Sequence, residues 1–124
     1  MPARSPEDLD KLFVEKMNAG DLEAVVALYE SEATLSPQPG QTATGTAAIR
    51  EAIRGFIAMK PRFTATAKPT VRAGDLALTG LAWTLHATSP DGKPVEMKGH
   101  SAEVVRRQPD GTWKFVVDNP WAGE

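Results

Sequence analysis

Gly99-His-Ser-Ala-Glu-Val-Val-Arg-Arg-Gln-Pro-Asp-Gly-Thr-Trp-Lys-Phe-Val-Val-Asp-Asn-Pro-Trp121 is the stretch whose reading decides the fold. Two runs rich in β-branched and aromatic residues flank Gln108-Pro109-Asp110-Gly111. Proline presets one turn dihedral and glycine accepts a positive φ, so the segment predicts a β-hairpin. It also carries His100, Glu103 and Asp118, three groups able to hold or move a proton. From residue 62 onward the apolar period is two, which predicts strands over 63–71, 76–87, 95–107 and 112–117. Ala73-Gly-Asp75 and Pro90-Asp-Gly-Lys93 read as hairpin connections, making the sheet an antiparallel meander. Gly80 and Gly99 lie inside long strands and mark bulges or corners, so the sheet should bend.

Upstream, the apolar residues repeat at helical spacing. Ser5-Pro6-Glu7-Asp8 supplies a capping hydroxyl, a proline at the first helical position and acids where unpaired amides face outward. Leu9, Leu12, Phe13 and Met17 then form one stripe, and Asn18-Ala-Gly20 a stop. Asp21 caps a second helix whose buried face reads as Leu22, Val25, Val26 and Tyr29. Residues 33–36 form a short extended piece, and 37–42, with two prolines and no periodicity, a loop. Gly45-Thr46 opens a third helix through Ile49, Ile53, Phe56 and Ile57, ended by Met59-Lys-Pro61. Helices first and strands after is the α+β pattern; three helices closing a bent sheet make a cone with an interior.

At 124 residues the chain fits one domain, 1–124, large enough for a single core. No apolar run approaches the roughly 18 residues that a membrane span needs. The N-terminus lacks the apolar segment of a secretory signal, so a cytoplasmic location is expected. With no cysteine, disulfides, thiol catalysis and Cys-based metal sites are excluded. A net charge of -2 with both signs interspersed gives no footprint for nucleic acid. No His-x-His or Glu-x-x-His spacing and no Gly-rich phosphate loop occurs, so neither metal nor cofactor is expected. Ser36 and Ser101 lack the Gly-x-Ser-x-Gly context of a serine nucleophile.

Several segments together carry a likeness. Phe13 to Asn18-Ala-Gly-Asp21, Val26-Ala-Leu-Tyr29, Ala33-Thr-Leu35, Gly45-Thr-Ala-Ala-Ile-Arg-Glu51 and Asp110-Gly-Thr-Trp-Lys114 resemble, in order and spacing, the NTF2-like superfamily. The chain is most similar to its SnoaL-like and DUF4440-type branch, related in fold to ketosteroid isomerase. The resemblance implies a cystatin-like α+β roll: three N-terminal helices on a strongly curved, mainly antiparallel sheet, an apolar pocket, and a homodimer through the outer sheet face. It does not imply one reaction, because the superfamily holds isomerases, dehydratases, epoxide hydrolases and non-catalytic members. The isomerases use a carboxylate base after the second helix, and a tyrosine and a protonated acid on the enolate oxygen. In this chain Pro37 falls at the base position, Phe13 at the tyrosine and Glu103 at the acid, counting back from the Asp110-Gly111 turn.

The candidate proton carriers are therefore Glu103, Asp118 and His100. Glu103 has apolar neighbours, so burial would raise its pKa; the alternative is an exposed glutamate paired with Arg106. His100 lies on the opposite strand face unless a bulge near Gly99 breaks the alternation, and His86 reads as a surface histidine. Asp118 should stand at the mouth of the cone, with Trp121 packing there or covering a ligand. Phe13, Met17, Tyr29, Leu35, Phe56, Met59, Trp83, Leu85 and Trp121 are the expected lining. A homodimer binding a small apolar or weakly polar organic molecule is the first expectation. An acid–base isomerase, dehydratase or hydrolase, and a non-catalytic assembly module, are the alternatives. Catalysis requires at least two polar side chains converging in the pocket; binding needs one.

Overall fold

The computed structural model describes residues 3–123. Helix α1 spans Pro6–Ala19: the Ser5 hydroxyl accepts a hydrogen bond from the Asp8 amide at 3.1 Å, and Gly20 closes the far end in the left-handed conformation, φ 70°. Helix α2, Leu22–Val26, is capped by Asp21, whose carboxylate accepts from the Ala24 amide at 3.2 Å. Helix α3, Thr46–Ala58, follows Gly45, which makes no side-chain cap. The first two helices start where their caps place them.

The second helix is shorter than its apolar pattern suggests. Tyr29 does not complete its buried face; it opens strand β1, Tyr29–Leu35, which lengthens the expected extended piece. Behind the loop, β2 (Ala43–Thr44) pairs antiparallel with the end of β1.

The four predicted strands divide into seven: β3 (Arg62–Ala67), β4 (Val71–Ala73), β5 (Leu76–Thr79), β6 (Leu81–Thr88), β7 (Pro94–His100), β8 (Ala102–Arg107) and β9 (Trp113–Asn119). Each long strand is cut once, at 68–70, at Gly80 and at Ser101, and the cuts lie side by side. The Leu81 amide donates to the Ser101 hydroxyl at 2.9 Å, the Ser101 amide to the Leu81 carbonyl at 2.8 Å, and the Lys68 amide to the Gly80 carbonyl at 2.9 Å. A Cβ at position 80 would lie 2.8 Å from the Ser101 carbonyl oxygen, so the corner closes only on glycine. Gly99 serves differently. It lies within β7, opposite Trp83, and a Cβ there would sit 2.9 Å from the indole.

The corner folds the sheet into two panels, one of order β2-β1-β9-β8-β5-β4 and one of order β3-β6-β7. Every pairing is antiparallel except β1 with β9, which runs parallel and brings the first strand beside the last. The expected hairpin joins β8 to β9, with Gly111 at φ 85° and the Asp110 carboxylate accepting from the Thr112 amide and hydroxyl at 2.9 and 2.6 Å. The helices cover the concave side. Leu9, Met17, Val25, Ile49 and Ile53 meet Leu35, Val105 and Phe115 in the main core, and Trp83, Leu85 and Ala87 form a second cluster on the smaller panel. Asn18 ties α1 to β3, its amide group donating to the Phe63 carbonyl at 3.0 Å and accepting from the Phe63 amide at 2.6 Å.

Candidate functional site

Where the two panels part, α1 does not fill the gap. The cavity so left has a free volume of about 60 Å³. Its wall is apolar over most of its area and includes the rings of Phe13, Phe56, Phe63, Trp83, Phe115 and Trp121. Edge-to-face contacts hold these rings: Phe13 meets Phe115 at 5.9 Å and Phe63 at 6.2 Å, and Trp83 meets Phe63 at 6.2 Å and Trp121 at 5.3 Å. The Trp83 indole donates to the Pro120 carbonyl at 2.8 Å, which fixes the segment after β9 across the cavity.

Three carboxyl groups interrupt this apolar lining: Asp10 from α1, Glu103 from β8 and Asp118 from β9. They are only 5%, 3% and 5% exposed. Glu103 and Asp118 are direct cross-strand partners, and Thr79 stands opposite Glu103 on the other side. The Thr79 hydroxyl donates to Glu103 at 2.8 Å, and the Tyr29 hydroxyl donates to Asp118 at 2.6 Å. Asp10 Oδ1 is buried with no hydrogen-bond partner among the described residues.

Crowding like charges in a poorly solvated space favours their protonated forms. Burial, then the negative charge of Glu103 and a hydrogen bond shared with it, push Asp10 up to about 9. Burial and the Glu103 charge push Asp118 up to about 7, against the lowering effect of the Tyr29 hydroxyl. Tyr29 is itself raised well above its ordinary value by burial and by Asp118. Near neutrality the cluster therefore holds Asp10 as a neutral donor beside an Asp118 able to give or take a proton.

The structure brings Glu103 and Asp118 together and leaves His100 out. His100 is exposed at the end of β7, because the chain turns at Ser101 instead of bulging at Gly99, and its ring lies against Gly123. Among the expected lining residues, Phe13, Met17, Leu35, Phe56, Trp83, Leu85 and Trp121 face the cavity. Met59 instead packs behind Trp83 and Leu85. Tyr29 lies one layer back and acts through Asp118. Pro37 is half-buried and outside the lining, so no carboxylate enters from that loop.

Asp10 is the group the sequence reading passed over. A signal was present, because Asp10, Phe13, Val14 and Met17 fall at i, i+3, i+4 and i+7 and so share the face that lines the cavity. Glu7 and Asp8 occupy the first turn and answer the helix dipole, whereas Asp10 lies beyond it, so the stripe alone marks it.

The family model of the SnoaL-like domain matches residues 11–116, and the chain belongs to that family. Among solved structures it is similar to a ketosteroid isomerase-like protein from Erwinia carotovora atroseptica SCRI1043, with TM-score 0.81, 19% identity, and 91% of this chain and 89% of that one covered. It is also similar to SalBIII, an epoxide hydrolase/cyclase-like enzyme in pyran ring formation in the polyether salinomycin, with TM-score 0.73, 19% identity and coverage of 93% and 88%. A third is a protein from Thiobacillus denitrificans ATCC 25259, provisionally named a calcium/calmodulin-dependent protein kinase type II association domain, with TM-score 0.76, 19% identity and coverage of 97% and 96%. No curated protein matches the chain in sequence. At such identities the likeness shows the fold, which is NTF2-like. No helix among the described residues is long and apolar enough to cross a membrane.

Proposed function

We propose that this chain binds a small, mostly apolar organic molecule in the aromatic cavity and moves a proton on it with Asp10, Glu103 and Asp118. The observation that carries the proposal is the convergence of three buried carboxyl groups on one apolar pocket, where binding alone would need one. Asp10 supports the reading as a neutral acid able to donate to a carbonyl or epoxide oxygen of the ligand. Asp118, pushed up to about 7 by burial and the Glu103 charge, suits general acid or base work on a neighbouring carbon or water. Tyr29 and Thr79 are positioning residues, since each holds a carboxylate by one hydroxyl.

A panel of small neutral ketones and epoxides in heavy water, followed by proton NMR, tests the chemistry. Deuterium uptake beside a carbonyl, or ring opening, is expected above the buffer rate. Asp118→Asn should lower it roughly 100-fold or more, the usual range for a lost general acid or base. Rates equal to buffer across the panel, or unchanged in Asp118→Asn, would remove catalysis and leave a binding pocket.

A homodimer through the outer face of the larger panel is part of the same proposal. Val71, Leu78, Val104 and Val117 stand opposite one another in one row across four adjacent strands. Val71 is 66%, Leu78 50% and Val117 42% exposed, an apolar stripe that a second copy would cover. Sedimentation at micromolar concentration should give twice the chain mass, and Leu78→Glu half of that. A monomeric parent protein would remove the dimer.

A further inference from the structure

The charges in the cavity do not balance. Three acids line it, and no Lys, Arg or His does so among the described residues. None of the ion pairs found among those residues involves Asp10, Glu103 or Asp118. The groups facing Asp10 are Glu7 on its own helix, Glu103 on β8 and Asp118 on β9, all acidic. Those facing Asp118 are Glu103 and the neutral Tyr29. A buried carboxylate without a counter-ion is destabilising, and two hydroxyl donors offset only part of that. Protonation of Asp10 relieves part of this charge, and a cation seated among the three would supply the rest.

We propose that the ligand carries one basic nitrogen on an apolar body, with the ammonium group seated among Asp10, Glu103 and Asp118. The inference rests on the reading of this cavity as a ligand site and adds the charge of what enters it. The unpartnered Asp10 Oδ1 is an acceptor facing no donor of the described residues, and an ammonium brings up to three. The aromatic wall suits the same ligand by burying its hydrocarbon part. An anionic ligand would meet three acids and no base. Among the described residues no group of three or more His, Asp or Glu side chains has the spacing to hold a metal ion, which favours an organic cation. Because Asp10 and Asp118 keep their protons to unusually high pH, the entering ammonium should displace part of them.

Calorimetric titration of the full chain with three probes of one shape tests this: 2-phenylethylamine, 2-phenylethanol and phenylacetate, each at about pH 7 in phosphate and again in Tris, two buffers of different ionisation enthalpy. The amine is expected to bind roughly tenfold or more tightly than the alcohol, and phenylacetate not measurably. Only the amine heat should differ between buffers, reporting released protons. Glu103→Gln should bring amine and alcohol within about threefold of each other while alcohol binding persists. Asp118→Asn is the second variant and should narrow the same gap. Alcohol binding as tight as the amine, with no buffer-dependent heat, would overturn the ammonium and leave the cavity a ligand site. Failure of all three probes to bind would overturn both.

Discussion

Melted at about pH 5.5 and again at about pH 8.5, the protein is expected to be less stable at the higher pH, by a few kcal/mol, or a melting temperature lower by about 10 °C. The cause is the buried carboxyl cluster. Asp118 and Asp10 are raised from 3.8 to about 7 and about 9, so the folded chain retains protons that the unfolded chain has already released. For groups raised on folding, the contribution is fully present below the unfolded value and is lost as pH climbs through the folded one. The loss therefore accumulates from about pH 4 upward, at no more than about 1.4 kcal/mol per pH unit for each group. The lowered carboxylates Glu23, Asp91 and Asp110 act in the opposite sense, but only on acidification below this window. Asp10→Asn keeps a donor beside Glu103 without an ionisable proton. It should flatten the profile and raise the melting temperature at alkaline pH above that of the parent. A profile flat or rising between those two pH values would mean that the cluster is solvated.

Phe115→Ala is expected to cost about 3–5 kcal/mol, read by denaturant unfolding. Phe115 is 2% exposed on β9, with its ring 5.9 Å from Phe13 and 5.0 Å from Tyr29. Removing it deletes the wall shared by the main core and the cavity. Domains of this size hold about 5–15 kcal/mol in total, so one ring carries a large share of the margin. The variant should also loosen the support of Asp118, since Tyr29 packs on the lost ring and donates to that carboxylate. A cost below about 1 kcal/mol would show that the ring is not part of the packed interior.

Local signals carried most of the fold. Ser5, Gly20 and Asp21 act at helix ends as their chemistry dictates, Asp110-Gly111 turns the hairpin, and Gly80 marks the corner. What stayed illegible was non-local. Tyr29 fits a helical stripe and a β-strand equally well, and only its place beside Phe115 on β9 decides for the strand. The cut at Ser101 depends on Leu81 across the corner, so the path from His100 to Glu103 could not be read from alternation along one strand. The site shows the same division. Glu103 is marked by the family pattern and Asp118 by its place at the end of the last strand, whereas Asp10 is marked only by the helical stripe it shares with Phe13, Val14 and Met17. Seven of the nine expected lining residues face the cavity, and Met59 and Tyr29 miss it by one packing layer.

The parallel seam between β1 and β9 governs the order in which this molecule is completed. Tyr29 and Asp118 lie 89 residues apart in the chain, yet one hydroxyl–carboxylate bond joins them. Closing so long a loop is entropically slow, and it comes after the hairpins and helices, whose partners are near neighbours. On the ribosome, the pocket cannot exist until the final strand has cleared the exit tunnel. Until then the aromatic wall stays open on one side, a surface for chaperones to shield.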